Sequence, residues 1–205
     1  MNNNFKQPFF SVIMNCRNSS TYLNEAILSV YKQTFLDWEI IFYDNSSTDS
    51  SPEIAKSFDE KLKYFKSEKS LPLGAARNAA ISNANGTFLA FLDCDDVWLP
   101  DKLHKQKNAI QSHTSDREIA FCYTGSTRID NKGNYLLSSP SFSGEGFQGN
   151  VFSHLLSECF ISMSSAVVKR DVFNKLNGFK PYLEYVEEWD LWLRLSFEYD
   201  LDCFQ

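Results

Sequence analysis

Asp93-Cys94-Asp95-Asp96 puts three carboxylates within four consecutive residues. Such groups repel one another unless a cation sits among them. Hard ions of the Mg²⁺ or Mn²⁺ kind take one or two carboxylates plus phosphate oxygens. The competing reading is a solvated acidic loop that opens the next helix. Asp44 and Asn45 offer a carboxylate and an amide, able to accept from and donate to a nucleobase edge or ribose hydroxyls. They could equally close an Asx turn. Arg77, followed by Asn78, can set a guanidinium against a diphosphate or lie on a helix surface. Glu187-Glu188-Trp189-Asp190 supplies carboxylates for proton transfer, and an acidic cluster is also an ordinary helix start. Asp190 and Arg194, four residues apart, read as a helix-surface ion pair. Asp49 reads as a turn cap, and His104, His113 and His154 lack ligand spacing.

Strand and helix signals alternate around these residues. Phe9 to Met14 is an apolar run of strand length. Leu23, Ala26, Ile27, Val30 and Tyr31 then recur at helical spacing. Trp38 to Tyr43 reads as a second buried strand, and Ser51-Pro52-Glu53 as an N-cap, a first-position proline and a first-turn acid. Leu62 to Lys66 reads as a short strand. Gly74 to Asn85 reads as an Ala-rich helix stopped by Gly86, and Thr87 to Leu92 as another strong strand. This order predicts a mostly parallel sheet with helices on both faces. Ligands bind such sheets at the carboxyl ends of the strands. Asn15–Asn18, Asp44–Asp49 and Asp93–Asp96 each begin where a strand ends.

The second half is less regular. A helix is predicted over Pro100–Ser112, a strand over Ile119–Arg128, and a hairpin turn at Asn131-Lys132-Gly133. Ser139–Gly149 reads as a mobile loop. Ser164–Lys169 reads as a strand and Asp171–Asn177 as a helix closed by Gly178. A last helix begins near Glu187, with Trp189, Trp192, Leu193, Ser196 and Phe197 on one face.

The 205 residues suit one domain. With 20 Lys+Arg against 26 Asp+Glu, the net charge of -6 gives nucleic acid no basic patch to grip. The opening residues Met1-Asn-Asn-Asn-Phe-Lys-Gln-Pro lack the apolar core expected of a signal peptide, and the apolar runs are too short to span a membrane. The 5 cysteines contain no CxxC pair, so neither a zinc site nor a disulfide framework is expected. A reduced, cytoplasmic setting fits that usage.

Taken together, these motifs resemble the family-2 glycosyltransferases of the GT-A fold, over about Phe9 to Tyr199. Phe10-Ser-Val-Ile-Met-Asn-Cys-Arg-Asn looks like the family's opening strand and loop. Ala26-Ile-Leu-Ser-Val-Tyr-Lys-Gln-Thr-Phe and Trp38-Glu-Ile-Ile-Phe-Tyr-Asp-Asn-Ser-Ser-Thr-Asp-Ser-Ser look like its next blocks. Gly74-Ala-Ala-Arg-Asn and Gly86-Thr-Phe-Leu-Ala-Phe-Leu-Asp-Cys-Asp-Asp resemble its helix and DxD-type metal motif. Ser165-Ala-Val-Val-Lys-Arg-Asp-Val-Phe, Gly178-Phe179 and Glu187-Glu-Trp-Asp-Leu-Trp-Leu-Arg-Leu resemble its acceptor-side blocks.

The resemblance implies a single domain over 1–205, with a nucleotide-sugar half at about 9–112 and an acceptor half at about 113–199. It implies transfer, with inversion, from a UDP-sugar to a glycan or lipid-linked acceptor in polysaccharide synthesis. The sugar would be of the hexosyl or N-acetylhexosaminyl kind. It further implies peripheral association with the inner face of a membrane. Asp44 and Asn45 would hold base and ribose, with Asp93 near the ribose and Asn15, Arg17, Arg77 and Cys94 lining the nucleotide. Asp95, helped by Asp96, would hold Mn²⁺ or Mg²⁺ on the diphosphate. Trp189 and Ser165 would lie toward the acceptor. Glu188 would be the general base, at a position where the family usually carries Asp, and Glu187 stays its rival. Arg17 stands where an aromatic side chain usually stacks on the base, and Asn15 where a proline or small polar residue is common. A change of Asp44 to Ala is expected to spare the fold.

Other enzyme classes share single features of this sequence. Asp93-x-Asp95-x-Val97 also satisfies a haloacid-dehalogenase-type phosphatase pattern, but that family carries it on the first strand. Nucleotidyltransferases and Rossmann dehydrogenases need glycines after strand one, and the first glycine here is Gly74. A non-catalytic nucleotide-sugar binding module is the remaining alternative.

Overall fold

The computed structural model describes residues 7–112, 120–136, 146–183 and 185–204. The elements run β1 (Phe10–Cys16), α1 (Ser20–Tyr31), β2 (Trp38–Asp44), α2 (Ser51–Lys56), β3 (Leu62–Lys66), α3 (Leu73–Ile81), β4 (Phe88–Phe91) and α4 (Lys102–Ser112). They continue with β5 (Phe121–Thr124), α5 (Phe152–Ser157), a 3₁₀ turn (Met163–Ser165), β6 (Val167–Lys169), α6 (Arg170–Lys175), α7 (Glu187–Glu198) and β7 (Leu201–Phe204).

One seven-stranded sheet has the order β3-β2-β1-β4-β6-β5-β7. Every strand points the same way except β6, which pairs antiparallel with both β4 and β5. The mostly parallel α/β architecture expected from the element order is therefore present. The central strands are apolar on both sides because both faces are covered. One core joins Phe10, Val12 and Met14 of β1 to Leu23, Ile27 and Val30 of α1, Ala55 of α2 and Leu103 of α4. The opposite core joins Ile13 and Ile41 to Ala80 of α3, Leu155 of α5, Phe173 of α6 and Trp192 of α7.

Several boundaries differ from the sequence expectations, each for a local reason. Ser51 is the first residue of α2 and Ser50 its cap. The Ser51 hydroxyl instead accepts the Ser19 N–H at 3.2 Å. Helix α3 ends at Ile81, short of Asn85. Gly86 is therefore no helix stop. A Cβ there would lie 2.3 Å from the Ser11 backbone nitrogen, so glycine is required by the close approach of two backbones. Strand β5 stops at Thr124, and Gly125–Arg128 are exposed. Ile119, and residues 139–145 of the expected mobile loop, lie outside the described residues. The Asn131–Gly133 turn forms, with Gly133 at φ 79° and Ile129 bridged to Tyr135.

Residues 163–165 coil into the 3₁₀ turn, so β6 begins at Val167. Helix α6 ends at Lys175, and Asn177 and Gly178 both take positive φ after it. The apolar face of α7 is rotated from the expected stripe: Leu191, Trp192 and Leu195 are buried and Phe197 is 72% exposed. Trp192 stacks on Phe121 of β5, with centroids 6.3 Å apart.

Candidate active site at the carboxyl ends of the strands

Strands β1, β2 and β4 run parallel in adjacent positions, so their carboxyl ends share one sheet edge. That edge receives the three polar loops. The first two are stitched together. Asn45 N–H donates to the Cys16 carbonyl at 2.8 Å, and Thr48 N–H to Asn18 Oδ1 at 2.8 Å. Asp49 caps both neighbouring helices, accepting Ser20 N–H and Ser51 N–H at 3.0 Å each.

Asp44 is wholly buried. Its Oδ1 accepts Ser47 N–H at 2.7 Å and its Oδ2 accepts the Tyr64 hydroxyl at 2.6 Å. Burial and the Asp44 carboxylate push the Tyr64 hydroxyl up from its ordinary pKa, so it stays a donor. The expectation that Asp44→Ala spares the fold is overturned, because the change would strand both donors. Asn45 is spent in the same way: its amide donates to the Leu71 carbonyl at 2.9 Å and accepts Leu71 N–H at 2.8 Å. Both side chains shape the floor of the edge.

Arg77 is not a surface residue. It is 5% exposed, and its guanidinium gathers carboxylates from two distant segments. Nη1 pairs with Glu187 Oε1 and lies 4.0 Å from Glu188 Oε2. Nη2 reaches Asp93 Oδ1 at 3.2 Å. The ring of Phe179 lies under it, 5.7 Å from the centroid. Arg77 thereby locks the start of α7 to the end of β4. Glycine at 74 permits the approach, since a Cβ there would already lie 3.2 Å from the Lys180 carbonyl and 3.6 Å from Glu187 Cβ. Asn78, next on α3, clasps Phe179 through both its amide atoms at 2.8 and 3.0 Å.

The two late acids differ. The Glu187 side chain is 2% exposed and that of Glu188 is 33% exposed. Burial raises the Glu187 pKa, with the Glu188 charge adding and Arg77 opposing. Asp190 and Arg194 form the expected ion pair at 2.6 Å, and Arg194 also holds the Leu176 and Gly178 carbonyls at 2.8 Å.

In the acidic loop, Asp93 is half-buried while Asp95 and Asp96 are exposed. Burial, with Asp96 and Asp95 adding charge, raises the Asp93 pKa against the pull of Arg77. Among the described residues no three His, Cys, Asp or Glu side chains gather into a ready-made metal cage. Two exposed oxygen donors suit an ion that completes its shell from phosphate and water.

Other predicted site residues fall differently. Cys94 points inward, 4% exposed, with its thiol 3.2 Å from the Asn15 carbonyl. Its hydrogen bond with Cys16, together with burial, raises its pKa well above the ordinary value. The same bond helps bring Cys16 down to about 7. Ser165 is 3% exposed and donates to the Ser162 carbonyl at 2.7 Å, and the Trp189 indole donates to the Leu155 carbonyl at 2.6 Å. Both polar groups are spent on backbone carbonyls inside the protein. Arg17 is exposed at the end of β1. Asn15 is unusual: its Oδ1 and Nδ2 are buried with no partner among the described residues. Such a pair is costly unless something binds it. The hub role of Arg77 was missed at the sequence level, where an arginine on an Ala-rich helix carries no sign of its partners.

The family model described as Glycosyl transferase family 2 matches residues 11–176. The UDP-Glc:alpha-D-GlcNAc-diphosphoundecaprenol beta-1,3-glucosyltransferase WfgD of Escherichia coli is 30% identical over 189 residues, 90% of this chain and 68% of that protein. The chain spans 30% of the length of an uncharacterized Rickettsia conorii glycosyltransferase and 60% of one from Rickettsia typhi. Among solved structures, S. aureus TarS superimposes with a TM-score of 0.73 at 22% identity, over 95% of this chain and 57% of that one. TarS has also been solved with UDP-GlcNAc. The Pyrobaculum calidifontis mannosyltransferase PcManGT, solved with GDP-Man and Mn²⁺, gives a TM-score of 0.67 at 16% identity, over 98% of this chain and 55% of that one. The strand order, the acidic loop ending β4 and the paired glutamates opening α7 stand inside or beside that matched span, and the chain belongs to glycosyl transferase family 2.

Proposed function

We propose that this chain binds a nucleoside-diphosphate sugar at the carboxyl edge of β1, β2 and β4 and transfers the sugar, with inversion, to an acceptor hydroxyl. The observation that carries this is the Arg77 hub, which sets Glu187 and Glu188 opposite the acidic loop. The unpartnered amide of Asn15 supports a polar ligand at the same edge. Arg17, exposed beside it, is the candidate to stack on the base. Asp44 and Asn45 hold the loop floor on which base and ribose rest.

Asp95 and Asp96 would hold a divalent ion, Mn²⁺ or Mg²⁺, which when bound offsets charge on the departing diphosphate. Glu188 takes the proton of the acceptor hydroxyl as its oxygen bonds the anomeric carbon. The bond from that carbon to the diphosphate oxygen breaks at the same time, and its electron pair leaves with the nucleoside diphosphate. Glu187, buried on Arg77, orients the helix start that presents Glu188.

The donor is a UDP-sugar, on the support of the names of WfgD and of the TarS complex. The WfgD name supports a lipid-linked acceptor and polysaccharide synthesis. No helix among the described residues is long and apolar enough to cross a membrane, and a lipid-linked acceptor would bring the enzyme to the inner membrane face peripherally. A thermal-shift screen with Mn²⁺ tests the donor. UDP and UDP-sugars at about 100 times Kd should raise Tm by roughly 5–10 °C. No shift with any nucleotide or nucleotide-sugar would overturn the reading.

A further inference from the structure

We propose that Ser164, with Trp98, is a positioning residue for the acidic loop and sets how tightly that loop holds a divalent ion. The inference rests on the reading of Asp95 and Asp96 as metal carboxylates. Ser164 grips both ends of the loop. Its Oγ accepts Asp93 N–H at 3.0 Å, and its carbonyl accepts the Trp98 Nε1–H at 2.8 Å. Asp95 and Asp96 are carried between these two clamps. Their own side chains are exposed, so the backbone of the loop must place them.

The clamp is itself braced from below. Ser164 and Trp98 are 8% and 7% exposed. The buried Lys102 Nζ lies 4.2 Å from the Trp98 ring centroid and donates to Gln106 Oε1 at 2.7 Å. Gln106 Nε2 donates in turn to the Ser165 carbonyl at 3.0 Å. Both carbonyls of the Ser164-Ser165 turn are therefore held from α4 and the segment leading into it. The loop exit is fixed as well, since Gln33 donates to the Leu99 carbonyl at 2.8 Å and Thr34 N–H to the Pro100 carbonyl at 2.8 Å. Burial pulls the Lys102 amine down to about 7, and its contacts with Trp98 and Gln106 still tie the loop exit to α4. Small hard cations accept only narrow metal–oxygen distances, so loosening one clamp weakens ion binding before it weakens the fold.

The test uses Ser164→Ala, which removes the hydroxyl acceptor and keeps the carbonyl, and Trp98→Phe, which keeps a ring over Lys102 and removes the indole donor. UDP affinity is measured by calorimetry in Mn²⁺ and in EDTA, and Mn²⁺ is titrated at fixed UDP. Each variant should raise the half-saturating Mn²⁺ concentration roughly 5–30-fold, the size of losing one buried hydrogen-bond partner. UDP affinity in EDTA should stay unchanged. A purely structural role would lower Tm and leave the Mn²⁺ titration where it was, which would overturn the proposal while the metal reading stands. A wild-type protein that binds UDP equally with Mn²⁺ and EDTA would overturn both. Trp98→Phe decides the matter if Ser164→Ala fails to fold.

Discussion

Glu188→Gln is expected to bind donor as the native protein does and to transfer sugar roughly 10²–10⁴-fold more slowly, the usual size of a general-base contribution. The amide keeps the shape and loses the proton acceptor. The two acids at this helix start point about 100° apart, and their surroundings separate their tasks. Glu188 keeps a third of its side chain open, while Glu187 is sealed on Arg77. A base must reach the acceptor proton, and only Glu188 is open to it. Initial rates and donor affinity of Glu187→Gln and Glu188→Gln, taken side by side, check this. A Glu188→Gln protein that turns over at the native rate, beside a dead Glu187→Gln, would move the base by one residue.

Arg77→Met carries the second large effect. It leaves Glu187 buried without its cation, and breaking a buried pair costs about 3–5 kcal/mol. For a chain of this size that lowers Tm by roughly 6–20 °C. Activity should fall further than stability accounts for, because Asp93 and Glu188 lose their common tether. Removing the stranded charge as well, in Arg77→Met with Glu187→Gln, should recover much of the stability and none of the activity. Thermal melts and transfer rates on the two variants separate these effects. A double variant with native turnover would show that the hub is structural alone.

Much of this architecture was legible in the residues. Mainly apolar runs at Phe9–Met14 and Trp38–Tyr43 mark strands covered on both faces, and the polar clusters after them fall at their carboxyl ends because parallel strands share direction. Boundaries were less legible, because hydrogen bonds from distant residues decided them. Ser51 reads as a cap by composition, yet its hydroxyl is claimed by Ser19 across the loop. Gly86 reads as a stop, yet its reason is the backbone of Ser11. Within the site, residue types were readable but their partners were not. Asp44 carried the ambiguity of any Asp at a strand end, and its bond from Tyr64, 20 residues on, leaves no mark in the local pattern. Arg77 and Glu187 are 110 positions apart, so local pattern could not pair them. Cys94 and Ser165 sat in motif positions, but the turn after β4 and the 3₁₀ turn face them inward.

Calorimetric titration of UDP into the native protein and into an Asp95→Asn, Asp96→Asn double variant, each in Mn²⁺ and in EDTA, tests whether the acidic loop holds a metal on the donor. The arrangement predicts that Mn²⁺ tightens UDP binding to the native protein by roughly 5–150-fold, the usual range of coupling between two ligands. It predicts that the double variant keeps the weaker affinity in both buffers. Equal affinity of the native protein for UDP in Mn²⁺ and in EDTA would contradict the claim that the acidic loop holds a metal on the donor.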